Sequence, residues 1–292
     1  MTASSIGFIG VGNMGSRMAQ RLVDAGHRVT ACDRSDAALE PFARQGVRVT
    51  KRPADCASAD FVLIVVATDD QLLSVALGDD GIRAGFHQGD EPMLVVMSTV
   101  MPETVKRVRH ELAPLGVRVI DAPISGGLYG AAQGTLAIMV GGEEDDYARA
   151  LPVLQCMGQQ LFHCGDLGSG EVTKIINNMV GVTNLYLVAE AYELALKHGL
   201  DLAQLAPVMD VSSGRTFMTR DIAVAREQYA AWAESPASFA SLADIIRKDL
   251  SLAAKLAQQG GLDLPLLKGA IASTASIGDD VLARWQAVAR SR

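Results

Sequence analysis

The chain has 292 residues, 49% of them hydrophobic and 20% charged, with a formal net charge of −7. That is enough apolar material for about two packed domains, and the acidic balance excludes the basic stripe that a phosphate backbone demands, so nucleic acid is not an expected partner. The apolar runs are too short for a bilayer span, so no membrane is expected either. Met1 to Ser5 lead straight into an apolar strand without a basic leader and long apolar core, which predicts no signal peptide. The four cysteines, Cys32, Cys56, Cys156 and Cys164, show no C-x-x-C spacing and no accompanying histidine cluster. Neither a metal site nor a disulfide framework is expected, and reduced thiols of a cytoplasmic protein fit better.

In chain order, Ile6–Gly10 reads as a strand. Met14–Ala25 reads as a helix, with Met14, Met18, Leu22 and Ala25 near helical spacing and Gly26 closing it. Arg28–Cys32 is the next strand, followed by strands over Phe61–Ala67, Met93–Met97, Val117–Ile120 and Leu136–Val140. Strand and helix in alternation predict βαβ units and a mostly parallel, doubly wound α/β sheet. A single proline-free helical pattern then runs from Gly170 to His198. Further helices are predicted over Leu202–Val211, Ser238–Gln259 and Pro265–Ile277. The expected division is a Rossmann-type domain over residues 1–165 and an all-α domain over 166–292, joined by the long helix.

Gly10-Val11-Gly12-Asn13-Met14-Gly15 is a G-x-G-x-x-G placed after a strand and at the opening of a helix, the context in which that pattern binds a dinucleotide. Gly10 serves the turn, Gly12 the approach of the pyrophosphate, and Gly15 the packing of helix on sheet, while Asn13 and Met14 open the helix whose N-terminus faces the anion. Asp33 ends the second strand, where an acid binds the adenosine ribose and favours NAD. Arg34 and Ser35 beside it suit a 2′-phosphate, so NADP stays open as a second cofactor.

Four separated motifs resemble the β-hydroxyacid dehydrogenase family. They are Gly7 to Gly15; Asp121-Ala122-Pro123-Ile124-Ser125-Gly126-Gly127 continuing to Gly134–Gly142; Gly170-Glu171-Val172-Thr173-Lys174-Ile175-Ile176-Asn177-Asn178; and Lys248-Asp249-Leu250-Ser251-Leu252-Ala253. The resemblance covers nearly the whole chain. It implies an NAD(P)-dependent oxidoreductase that moves a hydride between nicotinamide and a small 3-hydroxy acid. Members act on 3-hydroxyisobutyrate, tartronate semialdehyde and 2-(hydroxymethyl)glutarate. By that resemblance Lys174 is the proton-transfer base, and Ser125, Gly126 and Gly127 take the substrate carboxylate through a hydroxyl and unobstructed amides. Asn178, one turn beyond Lys174 on the same helix face, binds the substrate. Thr99 lies near the nicotinamide, and Lys248 supports the cofactor or the substrate.

Departures from the pattern separate the alternatives. The related 6-phosphogluconate dehydrogenases carry a glutamate where this chain has Gly181, which argues against oxidative decarboxylation. Imine reductases usually replace the lysine, which Lys174 argues against. A non-catalytic NAD(P)-binding module lacks the lysine too. A semialdehyde reductase working mainly in the reductive direction stays open. Arg215, in Ser212-Ser213-Gly214-Arg215, resembles a stretch of the 2-(hydroxymethyl)glutarate enzyme and suits a second carboxylate. The turn Ser276-Ile277-Gly278-Asp279-Asp280 keeps only part of the family's pattern. The partner is thus a small-molecule carboxylate, and family resemblance implies a homodimer or homotetramer.

Overall fold

The computed structural model describes residues 3–86, 91–275 and 278–291. The chain divides into two compact units, Met1–Lys174 and Ile175–Arg292.

The first unit is a sheet covered by helices. Its strands are β1 (Ser5–Ile9), β2 (Arg28–Cys32), β3 (Arg48–Thr50), β4 (Phe61–Ile64), β5 (Met93–Val96), β6 (Arg118–Asp121), β7 (Ile124–Ser125), β8 (Leu136–Gly141) and β9 (Gly158–Gly165). The order is β3-β2-β1-β4-β5-β6-β8-β7, with β9 paired to β8. From β3 to β6 every pairing is parallel, with β1 in register against β2 from Ser5↔Arg28 to Ile9↔Cys32. The sheet turns antiparallel where β8 meets β6 and β7.

Successive side chains leave a strand on opposite faces, and both faces here are buried. Phe8, Leu63 and Val95 pack with Met18 and Leu22 of α1 (Asn13–Asp24), Phe42 of α2 (Asp36–Arg44), Ala131 of α5 (Gly127–Gln133) and Leu154 of α6 (Glu144–Leu154). Ile9, Val62, Ile64 and Val96 pack on the other side with Leu72 of α3 (Asp69–Leu77) and Val105, Val108 and Leu112 of α4 (Pro102–Leu112). This is why the parallel strands read as continuous apolar runs. The doubly wound α/β expectation holds. The predicted strand Phe61–Ala67 is shorter in the structure and ends at Ile64, since past Val65 the amide of Val66 is taken by the Ser98 hydroxyl rather than by a strand. The short strands β3 and β7 and the largely exposed β9 carry little apolar pattern and were not predicted.

The long helix α7 runs Ser169–Lys197, and the boundary between the units falls inside it. The second unit continues with α8 (Leu202–Asp210), α9 (Ile222–Trp232), α10 (Pro236–Gln259), α11 (Pro265–Ala275) and α12 (Asp279–Arg290). Side chains of Asp201, Asp221 and Ser235 accept amide N–H groups at the starts of α8, α9 and α10, which satisfies donors the helices cannot reach themselves. The core is aromatic. Trp285 is fully buried, with the rings of Phe239, Tyr229 and Tyr186 at 5.2, 5.3 and 5.4 Å. Two buried hydroxyls reach carbonyls, Tyr229 to Leu185 at 2.8 Å and Tyr192 to Met218 at 3.0 Å.

Candidate active site

The glycine turn leaves the end of β1. Gly10 has φ +91°, and a Cβ there would run into the backbone carbonyl of Val65, so only glycine fits. Gly12 is the N-cap of α1, and among the described residues no side chain caps that end and no acid lies in its first turn. The N–H groups of the turn Asn13-Met14 thus meet an anion with the helix dipole in its favour. Gly15 sits against the carbonyl of Gly10, with the Phe8 ring 3.1 Å from where a Cβ would stand.

Asp33 follows β2 and is bound at both oxygens. Val11 donates its N–H to Oδ2 at 3.0 Å and Ser35 donates to Oδ1 at 2.9 Å. The first bond ties the acid to the glycine turn. Gly10, Gly12, Asp33 and Arg34 line one open groove of about 700 Å³, together with Lys51. Lys51 was not singled out from the sequence, where it reads as a surface lysine. It pairs with Asp36 at 2.7 Å. An uncapped helix end, a glycine turn and an acid in one groove of this size fit the adenosine and pyrophosphate of a dinucleotide.

Five further expected residues lie in the same unit. Thr99 is half-buried beyond β5, where its neighbour Ser98 accepts the N–H of Val66 at 2.8 Å. Ser125 ends β7. Gly126 and Gly127 follow at φ +135° and +62°, and among the described residues no side chain caps the start of α5. Lys174 is 7% exposed, on the second turn of α7, and Glu171 three residues earlier shares its helix face and is fully buried.

In the second unit one carboxylate holds two expected residues. The Asn178 amide donates to Asp249 Oδ2 at 2.7 Å, and the Lys248 ammonium lies 3.2 Å from Asp249 Oδ1. Asp249 itself is buried. Its adjacency to Lys248 in the fourth motif was the available signal. Arg215 stands in a separate ion pair, 3.1 Å from Asp210 Oδ1, with its side chain 60% exposed. Ser276 and Ile277 lie outside the described residues. Among the described residues no group of three or more metal-ligating side chains occurs, and no helix is long and apolar enough to cross a membrane. All four cysteines are free thiols.

A parallel sheet in the order 3-2-1-4-5-6, with the glycine turn at its first strand and an acid at its second, defines a dinucleotide-binding oxidoreductase fold. Known proteins narrow that class. Residues 5–165 match the family model described as the NAD binding domain of 6-phosphogluconate dehydrogenase. Residues 168–289 match that described as the NAD-binding region of NADP-dependent 3-hydroxyisobutyrate dehydrogenase. The chain is 42% identical to 3-hydroxyisobutyrate dehydrogenase of Pseudomonas aeruginosa, over 72% of this chain and 70% of that protein. The structure of Mycobacterium tuberculosis 3-hydroxyisobutyrate dehydrogenase with L-serine superposes with TM-score 0.80 at 30% identity, covering 99% of this chain and 98% of that one. Psf3 in complex with NADP+ and 2-OPP superposes with TM-score 0.81 at 26% identity, covering 97% and 99%. The chain belongs to the β-hydroxyacid dehydrogenase family. It is an NAD(P)-dependent hydroxyacid dehydrogenase of the 3-hydroxyisobutyrate dehydrogenase type.

Proposed function

We propose that the enzyme oxidises the alcohol of a small 3-hydroxy monocarboxylic acid of the 3-hydroxyisobutyrate class, using Lys174 as the base. The observation that carries this reading is a buried lysine on the first turns of α7, in the same unit as the dinucleotide groove. The nicotinamide, when bound, supplies a hydride acceptor. The work of the chain's own residues is to bind, orient and move a proton. Ser125 and the amides of Gly126 and Gly127 take the substrate carboxylate. Lys174 accepts the hydroxyl proton in oxidation and returns it in reduction. Asn178, aligned by Asp249, holds the substrate hydroxyl end. Thr99 borders the nicotinamide, and Lys248 supports the cofactor.

Arg215 bears on the choice between the mono- and dicarboxylic substrates. Its guanidinium already lies beside the Asp210 carboxylate, which supports the smaller acid. Asp33 supports NAD as the favoured cofactor, because an acid repels a 2′-phosphate, while Arg34 and Lys51 in the groove support NADP as a second one. We further propose a cytoplasmic homodimer or homotetramer. Ile176, Val180, Leu187 and Leu194 form an exposed seam along α7, each more than half exposed, and such a seam suits a second helix.

The test is nicotinamide absorbance with NAD or NADP and a panel of 3-hydroxyisobutyrate, L-serine, glycerate and 2-(hydroxymethyl)glutarate, run in both directions beside Lys174→Ala. Turnover of a monocarboxylate that vanishes in the variant supports the reading. Equal turnover in the variant removes Lys174 as the base. Preference for the dicarboxylate transfers the substrate role to Arg215.

A further inference from the structure

Asp121, the last residue of β6, is fully buried, and the site described above gives it no task. Its Oδ1 accepts the N–H of Gly168 at 2.6 Å and its Oδ2 accepts the N–H of Glu171 at 2.8 Å. These donors open α7 and have no partner within the helix. The acceptor lies 47 and 50 residues away in sequence, so the bonds fasten the helix to the sheet rather than cap it locally. A carboxylate at a helix N-terminus also meets the positive end of the dipole.

The surroundings are cut to fit that carboxylate. A Cβ on Gly170 would stand 2.8 Å from Oδ2, and one on Gly141 would collide with Oδ1. Glu171 adds a second tie, its Oε2 accepting the N–H of Val100 at 3.2 Å. The first turn of α7 is therefore fastened to the chain following β5 and to the end of β6. Lys174 follows one turn later. Burial pushes the Asp121 carboxyl up to about 6, although the amides of Gly168, Glu171 and Gly170 pull it down.

We propose that Asp121 is a positioning residue for Lys174: its carboxylate fixes the first turn of α7 to the end of β6 and thereby fixes where the lysine amine stands. The proposal rests on Lys174 being the base. Its effect is on proton transfer, so it is read in kcat and not in cofactor binding.

The experiment compares wild type, Asp121→Asn, Lys174→Ala and the double variant, with NAD and 3-hydroxyisobutyrate as probes. Misplacing a reacting group by about 1 Å costs on the order of 100-fold, so Asp121→Asn is expected to lower kcat by about 10- to 100-fold. KM and the cofactor Kd change less than about threefold, as expected when an interaction made only in the transition state is lost. In the Lys174→Ala background Asp121→Asn costs less than about twofold more, because residues acting as one unit are not additive. An unchanged kcat in Asp121→Asn overturns the proposal. So does an equal fold-loss with and without Lys174, which marks a general structural role. Full activity of Lys174→Ala is a different failure, that of the base assignment itself. If Asp121→Asn does not fold, Asp121→Ser, with a small hydroxyl acceptor at the same point, is measured in the same four-way comparison.

Discussion

The two units offer ligand chemistry of different kinds. In the first, most of it is backbone. Gly10, Gly12, Gly126 and Gly127 present amides without side chains, and the ends of α1 and α5 stand without side-chain caps among the described residues. In the second it is side-chain chemistry, with Asn178 and Lys248 both held by Asp249 over an aromatic core centred on Trp285. A backbone site leaves a spacing in the sequence. A side-chain site is completed by a pairing between distant residues, such as Asn178 with Asp249, which no spacing shows. The first kind tolerates change except at glycines such as Gly10 and Gly126, where a Cβ would clash or strain the turn, and the second fails when one acceptor is removed.

The largest expected effect falls on Lys174, the last residue of the first unit. Lys174→Ala should lower kcat by about 10²- to 10⁴-fold, the usual range for losing a proton-transfer group, with cofactor Kd unchanged by fluorescence titration. Next, Trp285→Ala should destabilise the second unit by about 3–5 kcal/mol through the cavity it leaves. Urea unfolding followed by tyrosine and Trp232 signals measures this. Cofactor binding retained in that variant keeps the units distinct, whereas binding lost in step with unfolding merges them.

A pH experiment sharpens the cost of the buried carboxylate in the first unit. Asp121 sits at about 6 when folded, above its ordinary value of 3.8, because of burial. A raised folded value means its contribution to stability is full below about pH 4 and is lost as pH rises through about 6. Relative to Asp121→Asn, wild type should therefore gain stability on going from pH 7.5 to pH 4, by at most about 3 kcal/mol. Denaturant midpoints of both proteins at the two pH values check it. A gain with the opposite sign refutes the burial account.

Smaller effects test each kind of site. Asp33→Ala should weaken NAD by about 1.5–3 kcal/mol, the worth of a hydrogen bond to a charged group, and weaken NADP less, as read by calorimetric titration. Asp249→Ala should reduce kcat/KM by about tenfold, equivalent to roughly 1.4 kcal/mol. Adding Asn178→Ala to it should cost little more, and full additivity of the two would uncouple them.

Much of this was legible in the sequence, and its limits are physical. The glycine turn, the helix α7 and the parallel core strands are local patterns, so Gly10–Gly15 predicted a strand before it and a helix after it. Helix α12 was missed although its signal was present, since Val281, Trp285 and Val288 recur at helical spacing and are all buried. The strands β3 and β7 have three and two residues, too few for a period to register. In β9 most side chains are exposed or half-exposed, and its place was decided by pairing with β8.

The same division holds for the site. Residue type and spacing determined the dinucleotide turn and the acid after β2, while the resemblance of four motifs brought in Lys174, Asn178 and the family to which they belong. Only the tertiary structure decided that Asp33 receives the amide of Val11, that Asp249 holds Asn178 across 71 residues, and that Asp121 takes the start of α7. A hydrogen bond is made over about 3 Å, and which groups come within that distance depends on the path of the whole chain.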